Sequence, residues 1–269
     1  MFDKIVSIAG VARSGTTWLG EILNSSPDVA YRFQPLFSYA FKDRVGVNST
    51  REEYAGFLQD LYNSDDPFLL QTEKREAGIL PLFKKVYSPQ VLAMKNARYH
   101  YLLIRFLGYF ENLKVLAVVR NPCAVLTSWM SLPKEFPVGS DPWLEWRLGT
   151  CKNQNKAENF FGFYKWREAA NIFIDLQNIS PDRVRVVRYE NLVENPTDVA
   201  ESLFDFCGLD FGDQTRHFLD ESIKRYSDNP YSVYKNKSAE DSWRDKLDAR
   251  IIKDIERELV GTRLEIFLM

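Results

Sequence analysis

Histidine and cysteine are scarce in this chain, which has 2 His and 3 Cys among 269 residues. Cys123, Cys151 and Cys207 are odd in number, far apart and without a Cys-x-x-Cys pair, so they predict neither a disulfide framework nor a zinc site. An excess of one charge is also missing, because 35 Lys and Arg oppose 37 Asp and Glu, a net charge of −2. This balance excludes a whole-molecule field that would hold nucleic acid, so any phosphate chemistry must depend on a few local cations.

Long apolar runs are missing as well. The first ten residues carry an acid at Asp3 and a short apolar run, unlike a secretory leader. No stretch approaches the roughly 18 apolar residues that a membrane helix needs. Together with the cysteine pattern, this favours a cytoplasmic protein.

What the chain has in abundance is core-forming side chains, with 45% hydrophobic and 14% aromatic residues. We therefore expect one globular domain spanning residues 1–269.

Short apolar runs alternate with helical patterns along the chain. Four such runs predict buried strands, at Ile5–Ala9, Val91–Met94, Val115–Val119 and Val184–Val187. Helical spacing follows each of them, from Thr16 onward, over Tyr101–Phe110, from Pro122 to Trp129 and over Val199–Phe206. Further helices are predicted at Glu52–Tyr62, Ala157–Leu176 and Leu247–Leu259. The fold class is therefore α/β, with three layers in which helices flank a central, mostly parallel sheet.

The loop after the first strand has the spacing of an anion-binding loop. Residues 10–17 read Gly-Val-Ala-Arg-Ser-Gly-Thr-Thr and lie between a strand and a helix, where backbone N–H groups and the helix dipole converge. A nucleotide P-loop has Lys after its second Gly, but this chain has Thr16, and its cation is Arg13. A tight turn with an exposed Arg is the simpler alternative.

A second anion site is predicted after the strand Val115–Val119. A metal-dependent P-loop kinase ends this strand in an Asp that supports Mg²⁺, whereas this chain has Arg120. Arg120-Asn121-Pro122 opens a helix that carries Ser128 two turns later, giving a cation and a hydroxyl. Two anion sites at strand ends suggest a ligand with phosphate groups at both ends of a nucleoside, bound without a metal.

Four segments in order resemble sulfotransferases that use 3′-phosphoadenosine 5′-phosphosulfate (PAPS). The segment Arg13–Leu19 is similar to the family's 5′-phosphosulfate loop, and Val119–Pro122 with Ser128 is similar to its 3′-phosphate motif. Two further segments resemble the segment that follows the family's later core strand and the Trp-basic pair near the C-terminus, and they are Tyr189–Leu192 and Ser242–Arg244. The resemblance is nearest to the carbohydrate and bacterial branch.

The resemblance implies a P-loop-like architecture and a site for PAPS as co-substrate without a metal. It places Lys95 close to the transferring sulfonate. It also places Trp18 and Tyr189 near the adenine base of the nucleotide. The 5′-phosphosulfate would be held by Arg13, Ser14, Gly15, Thr16 and Thr17. The 3′-phosphate would be held by Arg120 and Ser128, with Arg244 and Lys237 closing a loop over it.

The chain departs from the family at the general base. The carbohydrate branch has Glu where this chain has Gln34, and the cytosolic branch has His where it has Ala97. Gln cannot accept a proton. His100 is the candidate base if its loop points it into the cleft, and a helix cap or loop residue is the alternative. Glu73, in a polar run typical of a solvated face, is a weaker candidate. The predicted catalytic set is Arg13, Lys95 and His100.

The acceptor implied by the resemblance is a hydroxyl of a carbohydrate, a glycolipid or a small molecule. Two alternatives remain at this stage, a metal-dependent P-loop kinase and a nucleotide-binding protein whose catalysis is impaired. An aromatic stretch beside Gln34 would suit sugar stacking, but its alternation favours core packing. Its members are Tyr31, Phe33, Phe37, Tyr39 and Phe41.

Overall fold

Five parallel strands form the centre of the protein. A computed structural model describes residues 2–153, 161–225, 227, 229, 232–234 and 242–268 of the chain. In sheet order β2-β3-β1-β4-β5, every neighbouring pair is parallel. The strands are β1 (Lys4–Ala9), β2 (Val29–Phe33), β3 (Val91–Asn96), β4 (Leu113–Val119) and β5 (Val184–Arg188).

Helices connect the strands and cover both faces of the sheet. Those that precede β4 are α1 (Thr16–Asn24), α2 (Arg51–Asn63), α3 (Pro67–Leu70), α4 (Thr72–Glu76) and α5 (Leu103–Tyr109). Between β4 and β5 are α6 (Pro122–Met130), α7 (Pro142–Glu145) and α8 (Phe163–Ile179). After β5 are α9 (Tyr189–Glu194), α10 (Pro196–Cys207), α11 (Asp213–Lys224), α12 (Trp243–Lys246) and α13 (Ala249–Leu259). Short 3₁₀ turns occupy Pro35–Phe37, His100–Leu102 and Glu265–Phe267.

The core consists of two apolar layers, one on each face of the sheet. Successive residues of a strand point to opposite faces, and β4 shows this directly. Val115 and Ala117 belong to the layer with α2, α5, α6 and α8, whereas Leu116 and Val118 belong to the layer with α1, α10 and α11. Burial of both faces explains why these strands are almost continuously apolar. The α/β prediction with a parallel sheet and flanking helices is confirmed. That residues 1–269 form a single domain stays a prediction.

The four predicted strands are present, and the fifth, β2, was absent from the sequence prediction. β2 includes the charged residue Arg32, which interrupts the apolar pattern by which a buried strand is recognised in a sequence. Its buried guanidinium donates to the carbonyl oxygens of Leu61, at 2.8 Å, and Tyr62. These are the last turns of α2, so the arginine satisfies the end of one helix while it lies in a strand.

Two predicted helices begin later than expected. The pattern over Tyr101–Phe110 begins in a 3₁₀ turn and continues as α5 from Leu103, and Tyr99, with a φ of 57°, precedes the turn. In the pattern over Ala157–Leu176, α8 begins at Phe163, directly after Gly162 with a φ of 89°. Residues 157–160 of that prediction lie outside the described residues.

The topology places one crevice at the carboxyl edge of the sheet. β1 lies between β3 and β4, and the chain after β1 runs toward β2 on one side, whereas the chain after β4 runs toward β5 on the other side. The loops after β1 and β4 therefore leave in different directions, which opens a crevice at this switch point. The predicted anion-binding residues lie on these loops.

Candidate functional site

A cavity of about 730 Å³ lies at the carboxyl ends of β1 to β4. Each of these four strand ends contributes side chains to its wall, and α6 and α12 complete it. The strand-end residues are Arg13, Gln34, Lys95 and Arg120. The residues that the sequence predicted for one ligand therefore meet in one space.

Glycine shapes the loop between β1 and α1. Gly15 is the N-cap of α1 with a φ of 89°, and no side chain caps the helix there. A Cβ at Gly15 would lie 2.3 Å from ring carbons of Tyr189. Arg13 has a φ of 72°, which is unusual for a residue with a side chain. Thr16 and Thr17 line the cavity beside the first amides of the helix, which are its positive end.

Lys95 is the penultimate residue of β3 and has a buried ammonium group. Its Nζ donates to Oγ1 of Thr17 at 2.9 Å and lies 4.3 Å from the ring centre of Phe33. Burial, and after it the nearby charges of Lys74 and Arg13, lower the pKa of Lys95 to about 7. A cation held at such a cost marks a place where an anion would be stabilised.

The two predicted anion sites are joined by hydrogen bonds. Nε of Arg13 donates to Oγ of Ser128 at 3.0 Å, and Arg120 donates to the carbonyl oxygen of Arg13 at 3.1 Å. This contact follows from the sheet, because β1 and β4 are adjacent and Ala9 pairs with Ala117. One ligand can therefore contact both cation sites.

Asn121 fixes the direction of α6, which carries Ser128. Its side-chain oxygen accepts from the backbone N–H of Cys123 at 2.9 Å, an N-cap, and Pro122 occupies the first helical position. Its own N–H donates to the carboxylate of Glu190 at 2.8 Å, and Trp166 donates to the carbonyl oxygen of Arg120 at 2.9 Å. The strand end is thus held from α8 and α9 while the guanidinium of Arg120 faces the cavity.

Trp18 and Tyr189 form an aromatic corner of the cavity. Their ring centres are 6.3 Å apart in an edge arrangement, and both rings line the wall. The indole N–H of Trp18 donates to Oγ of Ser222 at 3.0 Å, and Arg120 lies 4.8 Å from the ring centre of Tyr189. A flat ligand placed between these rings would contact the face of one ring and the edge of the other.

The structure does not bring all the predicted residues to the cavity. Ser14 is fully buried and does not line the cavity. His100 is 8% exposed, and its ring lies 5.0 Å from that of Phe173 on α8, away from the cavity wall. Burial lowers the pKa of His100 to about 4, so the imidazole is neutral at physiological pH. The weaker candidate Glu73 is exposed and outside the wall.

The predicted loop closure involves Arg244, and the structure shows a different basic side chain at the wall. Trp243 is buried and lines the cavity with Lys246, three residues later and therefore on the same side of α12. Arg244 is exposed and lies 4.3 Å from the ring centre of Trp243. Lys237 lies outside the described residues.

Sequence reasoning missed several charged residues on the wall, because they lie on insertions without a motif. They are Lys74, Arg98, Glu135, Lys152 and Lys246. Lys74 reaches the wall because its neighbour Arg75 fixes α4 through a buried ion pair with Glu21, at 2.8 Å. Tyr31 and Phe41 are core residues as expected, whereas Phe33 and Phe37 line the cavity and Tyr39 is 94% exposed.

The model of the sulfotransferase family matches residues 6–213. The chain belongs to the sulfotransferase family. Carbohydrate sulfotransferase 3 from Tetronarce californica is 24% identical over 313 aligned positions, which cover 94% of this chain and 70% of the relative. A putative protein-tyrosine sulfotransferase from Caenorhabditis briggsae is 21% identical over an alignment that covers 80% of this chain and 69% of the relative. The resemblance found in the sequence is confirmed, and the sulfotransferase assignment is favoured over the kinase alternative.

Solved sulfotransferases share the fold. A mouse sulfotransferase complexed with PAP superposes with a TM-score of 0.56 at 13% identity, covering 99% of this chain and 89% of its own. A retinol dehydratase complexed with androsterone and inactive cofactor PAP gives 0.57 at 16% identity, covering 98% and 83%.

No described helix combines the length and apolar character needed to cross a membrane. Within the same part of the chain, no group of three or more His, Cys, Asp and Glu side chains is arranged to hold a metal ion.

Proposed function

We propose that this sulfotransferase moves a sulfonate from PAPS to a hydroxyl of a carbohydrate, a glycolipid or a small molecule. The observation that carries the proposal is the hydrogen-bonded group of Arg13, Arg120 and Ser128, which shares one cavity with the Lys95–Thr17 pair. The names of the relatives, carbohydrate and protein-tyrosine sulfotransferases, both describe hydroxyl acceptors. The cytoplasmic location expected from the sequence stays a prediction.

The 5′ end of the nucleotide would lie at the start of α1. The amides of Gly15, Thr16 and Thr17 would donate to the 5′-phosphate, and the ammonium of Lys95 would face the sulfonate. The local structure fits an anion, because the loop is shaped by Gly15, α1 has no side-chain cap, and a buried cation reaches Thr17. Ser14 would contribute through its backbone, since its side chain is buried.

The 3′-phosphate would lie between Arg120 and Ser128, with the adenine against Trp18 and Tyr189. Guanidinium groups suit phosphate because they donate two parallel hydrogen bonds. PAP, which occurs in complexes of two structural relatives, is PAPS without its sulfonate. Arg244 and Lys237 remain proposals for loop closure, and Lys246 is a further cation on the described wall.

Charge placement accounts for the chemical step. When the S–O bond to the 5′-phosphate breaks, the leaving phosphate gains negative charge. Cations fixed beside it, Lys95 and Arg13, stabilise that charge more in the transition state than in the ground state. Because the sulfonate and phosphates meet arginine and lysine directly, the proposal requires no metal.

Calorimetric titration with PAP tests the nucleotide site. We expect binding in the presence of EDTA, and we expect Arg120→Ala to weaken it about 10- to 100-fold, as losing a hydrogen-bonded charge pair does. Arg105→Ala removes an exposed arginine that lies outside the wall, and it should bind PAP like the wild type.

The same titration with ATP and Mg²⁺ distinguishes the kinase alternative. Binding of Mg-ATP as tight as that of PAP would contradict the proposal. Equal affinity of Arg120→Ala and the wild type for PAP would contradict the assignment of the 3′-phosphate site.

A further inference from the structure

One carboxylate stands on the wall of an otherwise cationic cavity. Among the described lining residues, Glu135 is the single acid, and the other charged side chains are lysines and arginines. It lies on the turn after α6, the helix that carries Ser128. Neither the anion-binding loops nor the family motifs include this turn.

The backbone of Glu135 is held firmly in place. Its N–H donates to the carbonyl oxygen of Leu132 at 2.8 Å, and its carbonyl oxygen accepts from the indole N–H of Trp129 at 3.0 Å. Trp129 is fully buried and stacks on Phe161, with ring centres 5.1 Å apart. The carboxylate therefore extends from a fixed turn, as a group with a chemical role must.

The Oε2 atom of Glu135 is buried and has no hydrogen-bond partner among the described residues. A buried carboxylate oxygen without a donor costs folding free energy. A bound molecule that donates a hydroxyl hydrogen would satisfy it. An acceptor alcohol is such a molecule, and a phosphate group is not.

Glu135 is also electrostatically linked to the reacting end of the site. Its negative charge acts to raise the pKa of Lys95, against the larger effect of burial. Glu135 and Lys95 line the same cavity, so the carboxylate and the ammonium border one space. Gln34 cannot take up a proton, and His100 packs outside the cavity.

Resting on the proposed function, we propose that Glu135 is the general base that deprotonates the acceptor hydroxyl. As the acceptor oxygen forms its bond to sulfur, its proton passes to the carboxylate of Glu135. The S–O bond to the 5′-phosphate breaks, and its electron pair stays on the phosphate oxygen beside Lys95. The carboxylic acid then returns its proton to water.

Glu135→Gln tests this role because it keeps the shape and removes the basicity. With sulfur-labelled PAPS and chondroitin or a tyrosine-containing peptide as acceptor, we expect kcat to fall at least about 100-fold. PAP affinity by calorimetry should stay within about twofold of the wild type. Glu135→Asp, which retains a base, should keep more activity than the Gln variant.

An acidic acceptor distinguishes a catalytic base at Glu135 from a residue that only maintains the structure. 4-Nitrophenol is largely ionised at mildly alkaline pH and needs little help to lose its proton, so its sulfonation by Glu135→Gln should approach the wild-type rate. Equal loss with all acceptors would overturn the proposal. So would full activity of Glu135→Gln, or much tighter PAP binding, which would place the carboxylate against a phosphate. Absence of any transfer by the wild type would instead overturn the proposed function, and this inference with it.

Discussion

Lys95 shows how a single buried side chain can indicate an anion-binding site. An ammonium group buried beside Lys74 and Arg13 is destabilised in the free protein, which is why its pKa is lowered to about 7. A phosphate or sulfonate would reverse this effect by supplying the opposite charge. The sequence placed Lys95 near the sulfonate, but its hydrogen bond to Thr17 and its low pKa depend on packing that no motif encodes.

Lys95 predicts proton uptake when PAP binds. At pH 8 most of the free protein has neutral Lys95, whereas the complex favours the charged form, so binding should take up nearly one proton. Affinity should therefore decline as the pH rises above 7. Calorimetry at pH 8 in two buffers of different ionisation enthalpy measures this uptake.

Two lysine variants control that experiment. Lys95→Met should bind PAP more weakly without the proton uptake, and Lys253→Met, on the exposed side of α13, should behave like the wild type. Wild-type affinity that does not change between pH 7 and 9 would contradict the assigned role of Lys95.

At the scale of the element, the loop before α1 depends on a close approach that only glycine permits. Gly15 combines a φ of 89° with a Tyr189 ring that leaves no room for a Cβ. Tyr189 in turn lies against Arg120, so the loop and the second cation site are mechanically connected.

Gly15→Ala should therefore damage binding as well as stability. A left-handed φ costs an alanine about 1–2 kcal/mol, and displacement of Tyr189 should additionally weaken PAP binding at least about tenfold. Gly78→Ala is the matched control, because Gly78 has a φ of 67° with open space around it. It should lower the thermal midpoint modestly and leave PAP affinity unchanged. Equal PAP affinity of Gly15→Ala and the wild type would contradict the loop's role.

Elements that carry a regular pattern were predictable. β1 and β4 are mostly apolar because both faces of the sheet are covered, and Asn121-Pro122 is a recognisable helix start. β2 was not predictable, because its Arg32 donates a hydrogen bond to the last turn of α2 and thereby places a charge within the strand. Lys246 instead of Arg244 lines the wall because the side of α12 that faces inward is set by burial of Trp243.

At the scale of the whole molecule, the sequence was informative where function resides in local motifs. The two anion loops meet because β1 and β4 are adjacent strands, and their motifs could be read in order. Glu135 and Lys74 reach the cavity from insertions, where long-range contacts such as the Glu21–Arg75 pair decide the orientation. Such contacts leave no periodic signal in one sequence.

Sulfonate transfer from PAPS without a metal is the reaction that we propose for the whole molecule. The most direct measurement follows the label from sulfur-labelled PAPS, in EDTA, to a panel of chondroitin, a tyrosine-containing peptide and 4-nitrophenol. We expect label on at least one acceptor, and we expect Arg120→Ala and Lys95→Met each to reduce this transfer at least about tenfold. Label that stays on PAPS with every acceptor, or transfer that requires added Mg²⁺, would contradict it.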